Sequence, residues 1–194
     1  MDNLIVSNVT KSFGTQIVFE NFSYTFEKTG LFHLQGESGK GKTTLLRLIA
    51  GIDTDYIGTI SAPSVSFLFQ DKRLFPTLNV LDNITLPHMA KKGDVVALQK
   101  EAKDMLTLFH FTEEDMKKYP HELSGGMAQR VAIVRAILYD APVLLLDEPA
   151  KELDAQNREV LFSLIAKEAE RRLVIMVSHD GEAISTLGGT VIRL

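Results

Sequence analysis

The sequence predicts an α/β protein with a mainly parallel sheet, a small antiparallel β part at its start and a helical insert. Three observations lead there. Short apolar strands alternate with helical patterns on both sides of residues 71–126, the arrangement that lays helices against a parallel sheet. Within 71–126 the strand signals fade and helical spacing takes over. Near the N-terminus, Phe22, Tyr24 and Phe26 alternate with Ser23 and Thr25, the period-two pattern of a half-buried strand.

Each element has a local reason. Gly30 ends the alternation, and Leu31 to Gln35 is a short apolar strand entering a glycine-rich turn. Lys42 to Ala50 reads as a helix that buries Leu45, Leu46, Leu48 and Ile49 and stops at Gly51. Residues 52–64 read as loops around a short strand, and Val65 to Phe69 as another strand. In the insert, Asp94 is placed to cap a helix whose apolar positions are Val95, Leu98, Ala102, Met105, Leu106 and Phe109. Thr112 to Asp115 is a capping signal for a short helix that Pro120 ends. Helices over Met127–Tyr139 and Ala155–Arg171 then alternate with strands over Val143–Leu146, Leu173–Val177 and Thr190–Leu194. The chain is expected to be one domain over 1–194. Residues 1–30 and 52–64 make its antiparallel part, 31–51, 65–70 and 127–194 its α/β core, and 71–126 the helical insert.

Composition narrows the function. In 194 residues, 45% hydrophobic and 24% charged is the balance of a chain that buries a core. The net charge of −4, with acids and bases interleaved, offers no electrostatic footprint for nucleic acid. With no cysteine, disulfides and thiolate metal sites are excluded. Met1-Asp2-Asn3-Leu4 lacks the basic start and apolar stretch of a secretion signal, and no apolar run approaches the roughly 20 residues of a membrane span. Runs such as Val131 to Leu138 are broken by charge, here Arg135. A role at a membrane therefore implies docking onto it.

Gly36-Glu37-Ser38-Gly39-Lys40-Gly41-Lys42-Thr43 fits G-x-x-x-x-G-K-[ST], the Walker A pattern. Glycines let the backbone curl so that successive N–H groups face phosphate oxygens, and the helix that follows adds the positive end of its dipole. Lys42 is expected to reach the β- and γ-phosphates, Thr43 to ligate Mg²⁺, and Thr44 to add a donor. Val143-Leu144-Leu145-Leu146-Asp147-Glu148 is a buried strand ending in two acids. Ligands bind at that end of a parallel strand, so Asp147 is expected to hold Mg²⁺ opposite Thr43 and Glu148 to orient or deprotonate the attacking water. His179, after Leu173–Val177, is a candidate for the γ-phosphate or that water. His33, His88, His110 and His121 are read as ordinary capping or core residues.

Leu123-Ser124-Gly125-Gly126-Met127-Ala128-Gln129-Arg130 resembles the LSGGQ signature of the ABC ATPase superfamily. Ser124 and two glycines at a helix start make a second anion site with no lysine of its own. The resemblance covers nearly the whole chain. It implies a P-loop NTPase, RecA-like core and a head-to-tail dimer in which Ser124, Gly125 and Gly126 of one subunit close over ATP held by the other. It implies further that Phe13 stacks on adenine with Val18 lining the same pocket. Gln70 is similar to the glutamine that contacts Mg²⁺ and water, Leu153-Asp154 to the end of the D-loop, and His179 to the switch histidine. Met127 departs from the usual glutamine, and Ala150-Lys151-Glu152 replaces the commoner small polar run before Leu153.

Phe69 to Leu78 with Val80 to Ile84 resembles the coupling region of import ATPases, most similar to the nitrate, sulfonate and taurine type. The resemblance implies ATP and Mg²⁺ as cofactors and a second ABC ATPase subunit, a membrane permease and an extracytoplasmic substrate-binding protein as partners. It implies a peripheral place on the cytoplasmic face of the membrane. Rival readings are an exporter ATPase, an ABC-type ATPase of nucleic-acid maintenance or translation, and a scaffold that binds ATP without turnover. Glu148 and His179 speak against the scaffold, and the short spacing from Walker A to signature speaks against the repair type.

Overall fold

Continuous apolar runs form the inner strands of a five-stranded sheet, because a strand covered on both faces has no polar side to show water. The computed structural model describes residues 3–89, 95–177 and 181–194. In the sheet the strands run in the order β5 (Val65–Leu68), β6 (Val143–Asp147), β7 (Leu173–Val177), β3 (Gly30–Gln35), β8 (Thr190–Arg193). β6 pairs with β7, β7 with β3, and β3 with β8, all parallel. Every residue of β6 and β7 is buried. The register levels Leu34 with Val177 and Val177 with Asp147. The chain therefore leaves β3 and β6 at one height, towards the same end of the sheet.

The antiparallel part is a separate three-stranded sheet, β2 (Gln16–Thr25), β1 (Ile5–Phe13), β4 (Ile57–Ser61). Between β1 and β2 the turn is two residues long, with Phe13 opposite Gln16. Val9, Phe26, Leu34, Leu45, Leu145 and Ile175 share one apolar cluster fed by both sheets and by α1 (Lys42–Ile49). At about 1.5–3 kcal/mol for each large apolar side chain buried, that cluster holds the first compact unit together. This unit comprises Met1–Phe67, Ala141–Glu148 and Ile165–Leu194.

The second unit comprises Leu68–Asp140 and Pro149–Leu164. It contains α2 (Val80–Met89), α3 (Val95–Leu108), α4 (Gly125–Leu138) and the first part of α5 (Ala155–Arg171). Its buried set includes Ile84, Ala102, Leu106, Phe109 and Val131. On α3 the apolar stripe runs as its spacing predicts, except that Val95 is exposed and Leu98 and Met105 are half-buried. The expected Asp94 cap lies outside the described residues. Thr112 and Asp115 do cap each other: the Thr112 hydroxyl donates to the Asp115 carboxylate at 2.7 Å, and the Asp115 amide donates back at 3.2 Å. The 3₁₀ turn they start is only Asp115–Lys117, and Pro120 opens a second one, Pro120–Glu122, instead of ending a helix. Proline suits a first helical position, where its missing N–H has no partner to lose. Two helices, α2 and α6 (Gly181–Leu187), have no individual counterpart among the elements expected from sequence, although α2 falls inside the expected helical insert. Among the described residues no helix is long and apolar enough to cross a membrane.

His33 sits buried on β3, where its Nε2–H donates to the Gly188 carbonyl at 2.7 Å and its Nδ1 has no partner. Burial holds the imidazole below its ordinary range despite that hydrogen bond. The folded protein keeps His33 neutral while the unfolded chain takes up a proton below about pH 6.5, so this stability is present above that pH and lost as pH falls. Urea denaturation at roughly pH 7.5 and 5.5 should show the wild type losing more stability than His33→Gln, which keeps a donor for Gly188. Equal losses would acquit the imidazole.

Candidate nucleotide site

The loop after β3 is shaped by two glycines. Gly39 and Gly41 hold φ of 84° and 86°, a left-handed conformation that a side chain disfavours. Gly41 is also hemmed in from above, since a Cβ there would run into Val18 and Phe19 of β2. It is the N-cap of α1, and the Leu45 amide donates to its carbonyl at 2.8 Å. The loop thus turns its backbone inward at the start of a helix, where N–H groups have no intrahelical acceptor. Glu37, Ser38, Gly39 and Lys40 are exposed, Gly36 and Thr44 half-buried.

Lys42 folds back into the loop and is buried. Its Nζ donates to the Gly36 carbonyl at 2.7 Å and the Glu37 carbonyl at 2.8 Å. An ammonium has three donors, so two anchors fix its direction and leave one N–H for an anion. Thr43, next on α1, donates its hydroxyl to Asp147 Oδ1 at 3.1 Å. Asp147 closes β6 and is 2% exposed. Glu148 follows at φ 52°, unusual for a residue with a side chain, and its amide donates to the Val177 carbonyl at 3.0 Å. Strained backbone held by a strand-end hydrogen bond is common where a side chain must be aimed. The register of β3 and β6 has therefore brought Gly36–Thr44, Asp147 and Glu148 to one end of the first unit.

Phe13, 55% exposed, ends β1 in the same unit. The Lys11 Nζ lies 4.7 Å from its ring centroid and is itself held by Asp53 Oδ1 at 3.0 Å and the Asp55 carbonyl at 2.6 Å. A cation therefore lies against the ring of this exposed aromatic residue. Val18, expected in the adenine pocket, packs over Gly41.

In the second unit Ser124 caps α4, its hydroxyl accepting from the Met127 amide at 3.2 Å. Asp154 caps α5 and accepts from the Asn157 amide at 2.8 Å; that hydrogen bond keeps its carboxyl below the usual range. Arg130 donates to the Phe109 carbonyl and to Asn157 Oδ1, tying the signature helix to the start of α5. Gln70 follows β5 and is exposed. His179 lies outside the described residues. Sequence reasoning missed Lys72 and Glu152: Lys72 Nζ donates to both Glu152 oxygens at 2.8 Å, and the carboxylate lies against Gly125. The one signal was the large acid in the D-loop stretch.

Comparison with known proteins decides the family. The family model described as "ABC transporter" matches residues 19–151. The chain belongs to the ABC transporter family. It is similar to an aliphatic sulfonates import ATP-binding protein, SsuB, of Bacillus cereus, at 41% identity over 92% of this chain and 74% of that one. The ergothioneine transport ATP-binding protein EgtV of Helicobacter pylori is 34% identical over 97% of this chain and 95% of its own. A solved dimeric bacterial ABC transporter cassette superposes with a TM-score of 0.84 at 27% identity, over 98% of this chain and 94% of that one. A second structure captures that cassette after hydrolysis with ADP and phosphate bound, with a TM-score of 0.83 at 28% identity over the same shares of both chains. This ABC protein is an ATP-binding, ATP-hydrolysing cassette with a P-loop NTPase fold, and its relatives include import ATP-binding proteins, as the coupling-region resemblance implied.

Gly41→Ala should break the loop of this ABC ATPase twice, through its φ and through Val18 and Phe19. We expect stability to fall by about 1–3 kcal/mol and affinity for a fluorescent ATP analogue by more than about tenfold. Wild-type affinity in the variant would refute this account of the loop.

Proposed function

We propose that this ABC ATPase drives a separate membrane permease by closing as a head-to-tail pair on two ATP molecules and parting after hydrolysis. The observation that carries the proposal is the cluster at one end of the parallel sheet: Lys42 anchored by two loop carbonyls, Thr43 bonded to a buried Asp147, and Glu148 next to it.

The loop amides of Gly36–Thr44 and the third N–H of Lys42 bind the triphosphate, and Phe13 takes the adenine. Thr43 and Asp147 present two hard oxygen donors 3.1 Å apart. That fits Mg²⁺, which binds through one or two protein oxygens and fills its shell with water and substrate phosphate. Thr43 and Asp147 would hold the ion, which would supply positive charge to neutralise the phosphate. Gln70 is assigned a further contact to the ion and its water. Glu148 orients the attacking water and accepts its proton, and His179 steadies the γ-phosphate. Ser124, Gly125 and Gly126 of the partner subunit contact that phosphate from the opposite side, with Asp154 at the subunit interface. Closure brings donors to charge that grows in the transition state, so positioning and neutralisation carry most of the rate.

Import is the favoured direction, because SsuB and EgtV are named as import and transport ATP-binding proteins and the chain resembles them over most of its length. The proposal includes a place on the cytoplasmic face of the membrane and an extracytoplasmic substrate-binding protein that selects the cargo.

Glu148→Gln should bind MgATP, sediment as a dimer and release phosphate at least about a hundredfold more slowly than wild type, the range that loss of a general base produces. A wild-type rate would take Glu148 out of the role given it here. Lys42→Ala should lose nucleotide binding or turnover altogether; retained affinity and activity together would refute the loop assignment.

A further inference from the structure

The signature of this chain carries its own anion. Gly125 and Gly126 open α4, and a Cβ on Gly125 would collide with the Glu152 carboxylate. The Glu152 carbonyl lies 3.0 Å from the Cβ position of Gly126, so the residue covers both glycines. Lys72 donates to both carboxylate oxygens at 2.8 Å, and its Nζ lies 4.0 Å from the same point on Gly125. Neither residue sits there loosely. Glu152 is held at φ 65°, and Arg135 of α4 donates to the backbone carbonyls of Lys72 at 2.7 Å and Arg73 at 2.8 Å. A two-oxygen anion is thus cradled between a helix N-terminus and a lysine, the surroundings that also suit a phosphoryl group.

We propose that Lys72 is a phosphate-binding residue of the signature face, and that Glu152 is its stand-in anion in the free subunit. On closure the γ-phosphate held by the partner takes the place of the Glu152 carboxylate against Gly125 and accepts from Lys72. This rests on the head-to-tail reading above. The exchange is feasible because the Lys72–Glu152 pair is partly exposed, with side chains 27% and 42% accessible, and such pairs are weak. A terminal phosphate brings more charge and three oxygens against two. The Ser124-Gly125-Gly126 turn, which includes no basic residue, would so acquire one from a segment 52 positions earlier in the chain (124 against 72).

The two side chains therefore have opposite signs of effect. In full-length Glu148→Gln protein titrated with MgATP, sedimentation velocity gives the ATP concentration at half dimerisation. Adding Glu152→Gln removes the competing anion and should lower that midpoint about threefold to tenfold; adding Lys72→Met should raise it by a similar factor. Binding of a fluorescent ATP analogue to dilute monomer should stay unchanged in both, as should the melting temperature within a few degrees. If Lys72 only tethers Glu152, Lys72→Met shifts the midpoint down as Glu152→Gln does, and the proposal fails. It fails equally if neither change moves the midpoint or if monomer affinity moves instead. Should the Glu148→Gln parent stay monomeric at saturating MgATP, the head-to-tail reading falls first and takes this proposal with it.

Discussion

A polyphosphate can be held inside a protein only by donors already turned towards it, because water will not be there to complete the shell. In this chain the loop proposed to supply them depends on the backbone at Gly39 and Gly41, both bent to left-handed φ, and on β2 roofing Gly41 with Val18 and Phe19. The roof explains an otherwise odd economy. A three-stranded antiparallel sheet is small, yet its apolar face shares one cluster with α1 and the parallel sheet. It thus supports the loop from one side while presenting Phe13 at its hairpin end. The same strands that stabilise the unit set the shape of the site.

The second half of the chemistry arrives through register. β6 contributes nothing but buried apolar side chains until Asp147, and parallel pairing through β7 sets that acid level with Leu34, two residues before Gly36. Thr43 then meets Asp147 across 104 residues of sequence. A slip of one residue in β6 would turn Asp147 to the opposite face of the sheet. The packing of Leu144, Leu145 and Leu146 therefore fixes where Asp147 meets Thr43. Asp147 is only 2% exposed, a depth at which a carboxyl group needs hydrogen-bond partners, and the Thr43 hydroxyl is one.

Much of this was legible from residues alone, for reasons that differ by residue. The phosphate loop is spelled by stereochemistry, since glycines at fixed offsets between a strand and a helix serve little besides cradling an anion. β6 and β7 were legible because four or five apolar residues in a row must be buried on both sides. What escaped was information carried by pairs distant in sequence. Lys72 and Glu152 are 80 residues apart, and Lys11 is 42 and 44 from the carboxylates that hold it. Arg135 read as an interruption in an apolar helix, whereas its half-buried guanidinium fastens Lys72 and Arg73. Pro120 read as a stop and proved to be a start, a distinction that rests on one residue's place in a turn.

Departures from a family pattern are informative when they come in compensating groups. A glutamate among the small residues of the D-loop, taken alone, would set a negative charge beside a site meant for phosphate. Here the charge is matched by Lys72, and Lys72 is fixed in place by Arg135 from the helix that the signature opens. A lone intruding carboxylate would repel a nucleotide; a carboxylate neutralised by a lysine of its own leaves that lysine behind when it moves. Lys11 follows the same logic, neutralised by Asp53 while it lies against the ring of Phe13. In both places an extra cation is kept at an anion-binding or aromatic surface by acids that belong to the same unit. Reading the acid without its partner gives the wrong sign for the electrostatics of the site.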